Sequence, residues 1–203
     1  MTKKPQKPPA KRGRQPARSA PKRTRPPAET EIAPLDVTPA GSALEDEWIL
    51  LHYQLRNPSD RTLHSYARVR RIRMDEAHRT LELSLDDSHI DPNSILDTHL
   101  QVPPFLPVGA HETAGLELRV PRRISKLAKG ERGAAPKMQL QDLTGFQTIA
   151  LKIAYSDTPF YYKPGRESIG QQLRAWAKGR VELTHSAEEI GWRPHQIPPG
   201  SAP

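Results

Sequence analysis

From Thr80 to Leu85 every second residue is a leucine: Leu81, Leu83 and Leu85 alternate with Thr80, Glu82 and Ser84. A period of two places the leucines on one face of an extended chain and predicts a half-buried antiparallel strand over Arg79–Asp86. The same alternation recurs at Leu116, Leu118 and Val120, with Glu117 and Arg119 between them, and at Ile149, Leu151, Ile153 and Tyr155 in the stretch 148–155. Trp48–Arg56 is apolar on both sides at its start and predicts a strand buried in a core. Ser65–Met74 predicts another strand, joined to Arg79–Asp86 by the short loop Asp75-Glu76-Ala77-His78. Asn57-Pro58-Ser59-Asp60 predicts a turn, because proline presets φ and Asn, Ser and Asp bond their own backbone. Arg122–Leu127 extends the pattern past Pro121, and Arg180–Thr184 adds a late strand. Residues 86–107 and 128–137 read as loops, the first with a short strand at His99–Val102.

One segment departs from the period of two. In Ser168–Lys178 the apolar residues Ile169, Leu173 and Trp176 fall at i, i+4 and i+7, one face of a helix. Ser168 and Gln171 form the pattern of a capping box, and Gly179 stands where a C-terminal glycine stop is expected. Six to eight short strands and one late helix predict a mainly all-β fold, an antiparallel β-sandwich with a short C-terminal helix. Leu106-Pro107-Val108-Gly109 ahead of an alternating strand that ends at Pro121 resembles the way strands begin and end in immunoglobulin-like domains. The resemblance is to that local pattern, without a Cys–Trp–Cys core, and carries over no functional residue.

Composition changes this picture at the ends. Only 35% of the 203 residues are hydrophobic, and 22 are prolines. Between Lys3 and Glu31 there is no Val, Ile, Leu, Met or aromatic residue, so residues 1–27 have nothing to bury against the entropy of ordering them. They are expected to be a disordered, Pro-rich tail with polyproline II character. Residues 28–44 are expected to link this tail to a domain over 45–184. Residues 185–203 form a Pro-rich C-terminal segment, whose Ile190, Trp192 and Ile197 could dock on the domain.

Charge is divided the same way. The tail holds ten bases, Lys3, Lys4, Lys7, Lys11, Arg12, Arg14, Arg18, Lys22, Arg23 and Arg25, and no acid stands before Glu29. Without them, 21 basic residues face 23 acidic ones. The cationic excess therefore belongs to the tail, and the domain is nearly neutral. A block of like charges predicts an interaction tail for nucleic acid, an anionic surface or an acidic partner. The tail has no aromatic residue, so base stacking cannot contribute and sequence selectivity should be poor. The alternative for the same features is a structural or assembly protein whose tails engage neighbouring subunits.

Several chemistries lack their signatures. There is no cysteine, hence no disulfide, thiolate metal site or Cys nucleophile. The eight histidines show no helical i, i+4 pair and no HExxH, and are expected to be surface or structural residues. No G-x-S-x-G, Walker A or G-x-G-x-x-G is present. No cofactor or metal is expected, and a non-enzymatic binding protein is. No apolar run reaches the length of a membrane-spanning helix, and the basic start lacks the apolar core of a secretion signal, so a cytoplasmic location is expected.

Three local features have two readings. Arg68, Arg70, Arg71 and Arg73 suit an anion-binding patch or a charge-protected edge strand. The run Asp86-Asp87-Ser88-His89-Ile90-Asp91, with Asp97, could hold Ca²⁺ but lacks EF-hand spacing and reads as a turn. Phe160, Tyr161 and Tyr162 suit an aromatic ledge or a segment that closes the core over Trp176.

Overall fold

The computed structural model describes residues 33–88, 101–128, 137–165 and 167–193. The chain divides into two units, 1–31 and 32–203, and all described residues belong to the second. Its strands are β1 (Asp36–Glu45), β2 (Trp48–Arg56), β3 (Leu63–Tyr66), β4 (Arg71–Asp75), β5 (Thr80–Leu85), β6 (Phe105–Val108), β7 (Thr113–Pro121), β8 (Arg123–Ala128), β9 (Lys137–Asp142), β10 (Thr148–Ser156) and β11 (Gly179–Ser186). The helix α1 spans Ile169–Trp176, and a 3₁₀ turn spans Ala187–Ile190. The fold is mainly β, as the alternation predicts.

The first sheet has the order β1-β2-β7 and is antiparallel throughout. Its buried face is built in rows: Leu44, Ile49 and Val120; then Ser42, Leu51 and Leu118; then Pro39, Tyr53 and Leu116. The second sheet has six strands, in the order β4-β5-β10-β3-β6, with β11 also on β10. Tyr155 pairs with Gly179 of β11 and with Ser65 of β3, so these strands lie on opposite edges of β10. β3 follows β5 along the edge they share. The inner rows of this sheet are Ile72, Leu83, Leu151 and Leu183, and beside them Met74, Leu81, Ile149 and His185. Both sheets contribute to one continuous core. Each fully buried leucine or isoleucine contributes roughly 1.5–3 kcal/mol.

The pairing of β5 with β10 is parallel, which corrects the expectation of an antiparallel sheet throughout. A parallel pair needs a long connection, and residues 86–147, including β6 to β9, lie between the two strands. Burial alternates in the same way for either direction, so the sequence pattern alone does not reveal it. The remaining strands β8 and β9 make a two-stranded antiparallel hairpin.

Other boundaries differ from the sequence reading. Residues 36–44, expected within a linker, belong to β1, which runs to Glu45. Its alternation is masked by Pro39 and Gly41, which lie at a register shift against β2. Prolines and bulges of this kind belong to edge strands, where a missing N–H breaks no ladder. The expected strand 65–74 is two strands. Ala67 donates to Pro104 O on one side of the break, and Arg70 donates to Ser84 O on the other. The turn at 57–60 is present: buried Asn57 accepts from Ser59 N and donates to Arg61, Val108 and Gly109 carbonyls. The stretch 101–102, half of the short strand expected there, is not in a strand.

The helix keeps its capping box, with Ser168 accepting from Gln171 N and Gln171 accepting from Ser168 N. Gly179 is not its stop. Ala177 caps the helix in an extended conformation, and Gly179 begins β11. Glycine is required there for space, because a Cβ would overlap the ring of Tyr155. Leu173 and Trp176 face the core, and Trp176 meets Tyr66, Phe105 and Phe160.

The start of the C-terminal segment docks, as its apolar residues suggest. Ile190 and Trp192 are buried, Trp192 stacks on Phe146 at 5.1 Å and 10°, and its Nε1 donates to Thr144 O. Gly191, at φ 70°, ends the 3₁₀ turn in the left-handed region. The folded unit therefore reaches past residue 184. Ile197 lies outside the described residues.

Candidate polyanion interface

All ten bases of the tail lie outside the described residues, so the structure places none of them. The arginine-rich segment is placed and divides. Arg68 is exposed in the break between β3 and β4. Arg70 turns inward and its Nε donates to Asp87 at 3.0 Å. Arg71 and Arg73 share the outer face of β4, the end strand of the six-stranded sheet. The charge-bearing edge strand is therefore real, but only two of the four arginines belong to its outer face.

Those two meet a third cation from a distant part of the chain. Arg71 pairs in register with Ser84 of β5, and Ser84 with Lys152 of β10. In the next outward row Arg73 stands beside Glu82, and Glu82 beside Ala150. β4 and β10 flank β5 at about 5 Å each, so their outward side chains stand about 10 Å apart. Long side chains thus rise on both sides of the short Ser84, and the short Ala150 leaves space beside Glu82. The result is a trough of about 280 Å³ lined chiefly by Arg71, Arg73, Glu82, Ser84, Ser88 and Lys152. Three of these are cations and one is an acid. Arg73 Nη1 lies 3.8 Å from Glu82, and Lys152 Nζ lies 2.9 Å from Glu182 of β11. Arg71 has no ion-pair partner among the described residues. The sequence signal for Lys152 was its polar position within an apolar alternation; that it joins Arg71 follows only from the parallel pairing.

The adjacent acids enter a turn over 86–88, as their sequence suggests, but their side chains are not exposed. Asp86 and Asp87 are both buried. Asp87 accepts from Arg70 and from Tyr66 OH at 3.1 Å. Burial, and then the Asp87 charge, push the Tyr66 hydroxyl well above its ordinary range. Asp86 accepts from Ser88 Oγ at 2.9 Å and lies 3.7 Å from Arg180 Nε. His89, Asp91 and Asp97 lie outside the described residues. Among the described residues no three His, Asp or Glu side chains gather as a metal site would require.

Of the histidines, His89, His99 and His195 lie outside the described residues. His78 pairs with Asp75 and His111 with Asp60, both at the surface. His64 titrates below its ordinary value because burial penalises its charged form. His185 is in the core between the sheets. Its Nδ1 is 2.8 Å from Ser186 O and so carries the proton, which leaves Nε2 to accept from Tyr53 OH at 3.0 Å. Burial raises the Tyr53 hydroxyl above its ordinary range, keeping it a donor. These partners are 132 residues apart, and nothing local in the sequence joins them.

The aromatic segment splits between its two readings. Phe160 closes the core against Phe105 and Trp176, whereas Tyr161 and Tyr162 are exposed. A second, wider groove of about 550 Å³ lies between the start of β1 and the middle of β11, with Leu35, Val37, Arg56, Val181 and Leu183 in its lining. No helix among the described residues is long and apolar enough to cross a membrane. In comparison with known proteins, the chain matches no family model, no curated protein and no solved structure.

Proposed function

We propose that this protein is a non-enzymatic polyanion-binding protein, with nucleic acid as its foremost ligand, tethered by residues 1–27. The observation that carries the reading is the segregation of charge. Ten bases without an acid precede a remainder of the chain in which 21 bases face 23 acids. Neutralising phosphates with such a tail releases counterions, so affinity should fall steeply with salt, with a log–log slope up to about −9 on duplex DNA if all ten engage. The layered β domain, which we read as immunoglobulin-like in its two-sheet packing, would make the more specific contacts. A cytoplasmic setting belongs to the same reading, and the cysteine-free composition supports it.

The test compares the full chain with a chain starting at Ala28 in salt-dependent binding to DNA and RNA. The shortened chain retains all of the described core. It should lose most of the affinity and most of the salt slope; equal binding by the two would remove the tail from the mechanism.

A second reading, assembly through protein contacts, is favoured by the hairpin β8–β9. Met138 and Leu140 there are 65% and 71% exposed. Sedimentation of both chains tests it, and a single monomeric species throughout would count against it.

A further inference from the structure

The ten bases of the tail can supply charge-driven affinity, but nothing in their spacing sets a register for a ligand. The trough over β5 holds cations at defined positions. Arg71 and Arg73 are two residues apart on one strand face, hence about 6.6 Å apart along the strand. That is close to the repeat of successive phosphates in an extended nucleic-acid strand. Lys152 faces them across β5, and the Ser84 hydroxyl between them has no hydrogen-bond partner among the described residues. Guanidinium groups give planar, forked donation to phosphate oxygens, and the ammonium adds a point charge.

We propose that this trough seats consecutive phosphodiester groups of an extended nucleic-acid strand, with Arg71, Arg73 and Lys152 holding the phosphates. This rests on the polyanion reading and adds a defined contact in the folded domain. Glu82 opposes the seat. Its carboxylate stands in the trough, 3.8 Å from Arg73, and competes with a phosphate for the same cation. Lys152 is likewise held by Glu182. The seat is therefore partly self-neutralised, so it adds register and moderate affinity to the tail. An anionic membrane is the less suitable ligand. Among the described residues the exposed large apolar side chains are Trp48, Val102, Met138, Leu140, Tyr161 and Tyr162, and none belongs to β4, β5, β10 or β11. The described strands around the trough thus offer nothing to insert among lipids.

Glu82→Gln supplies the decisive test, because a gain of binding cannot arise from misfolding. Its control is Glu117→Gln. Glu117 also pairs with an arginine, Arg119 at 3.0 Å, but on β7 of the other sheet. Both substitutions add one charge and release one arginine. Binding of the full chain to a fluorescent twelve-nucleotide oligothymidylate is followed by anisotropy across a salt series. Glu82→Gln should tighten binding about two- to fivefold, and Glu117→Gln should change it by clearly less. The double substitution Arg71→Gln, Lys152→Gln should weaken binding and make the log–log salt slope shallower by about 1.4, from two contacts at about 0.7 each on a single strand.

Equal effects of Glu82→Gln and Glu117→Gln would overturn the proposal. So would an unchanged slope in the double variant, or no binding of the oligonucleotide by the unaltered chain. Two further arms distinguish the source of the anion. Inorganic phosphate that shifts the Ser84 amide signal, with no preference of Glu82→Gln for the oligonucleotide, would mean a seat for free phosphate. A gain by Glu82→Gln on phosphatidylserine vesicles but not on the oligonucleotide would mean a membrane contact; either result overturns the nucleic-acid assignment. Replacing all ten tail bases by glutamine tests the tail separately. The two ideas can therefore fail independently.

Discussion

The inner and outer faces of the six-stranded sheet come from the same strands, yet they are bound by different rules. On the inner face Ile72, Leu83, Leu151 and Leu183 form an apolar row facing the three-stranded sheet. One residue further along, the outer row is Arg71, Ser84, Lys152 and Glu182. Inside, close packing makes each methylene count. Outside, long side chains in water can exchange partners at little cost. The inner face is therefore where the fold is decided, and the outer face is free to carry a ligand. The end of the sheet breaks this division, because Asp87 and Arg70 bring charge into the interior.

That exception gives the largest expected effect. Asp87→Ala strands Arg70, which is mostly buried, and removes the acceptor of Tyr66 OH. Urea denaturation should show a loss of about 3–5 kcal/mol, the cost of breaking one side of a buried ion pair. A loss near zero would mean that water already satisfies this cluster. Leu151→Ala, at the centre of the inner face, should cost about 2–5 kcal/mol through lost burial and a cavity. Tyr53→Phe removes the donor to His185 Nε2 and keeps the ring. It should cost about 1–2 kcal/mol, since one buried acceptor is left unpaired.

Smaller effects sharpen the surface side of the comparison. Asp157 is held below the ordinary aspartate range, first by its hydrogen bond to Lys178 and further by Arg61, against partial burial, which raises it. A depressed carboxylate contributes stability above the unfolded value of about 3.9, and that contribution is lost as pH falls through the folded value. Thermal melts of the protein and of Asp157→Asn should therefore differ above about pH 5 and converge in strong acid. Lys152→Ala, on the outer face, should change stability by no more than about 0.5 kcal/mol, because its pair with Glu182 is exposed. A larger loss would mean that the outer face also holds the fold.

Much of the inner face was legible before the structure. The alternations at 80–85, 116–120 and 148–155 mark strands that are present, with their apolar residues buried. The helix and its capping box were legible because 3.6-residue periodicity and a Ser-x-x-Gln signature are local. β1 was not, since Pro39 and Gly41 interrupt its pattern where it bulges. Gly179 looked like a helix stop because the Tyr155 ring that needs its space lies 24 positions earlier. The trough was half legible: Arg71 and Arg73 stand in a visibly arginine-rich run, but no local signal ties them to Lys152.

By itself the sequence determined the β character of the chain, the inward-facing residues of its strands, the late helix and the concentration of cationic charge before residue 28. These depend on neighbours within a few positions, where side-chain period, turn chemistry and composition act directly. Tertiary structure alone decided the parallel joining of β5 to β10, the burial of Asp87 with Arg70 and Tyr66, the Tyr53–His185 bridge and the meeting of Lys152 with Arg71 across Ser84. Each joins residues far apart in the chain. Such contacts form only when burial of the shared core repays the entropy of closing long loops, and no local pattern encodes which ones do.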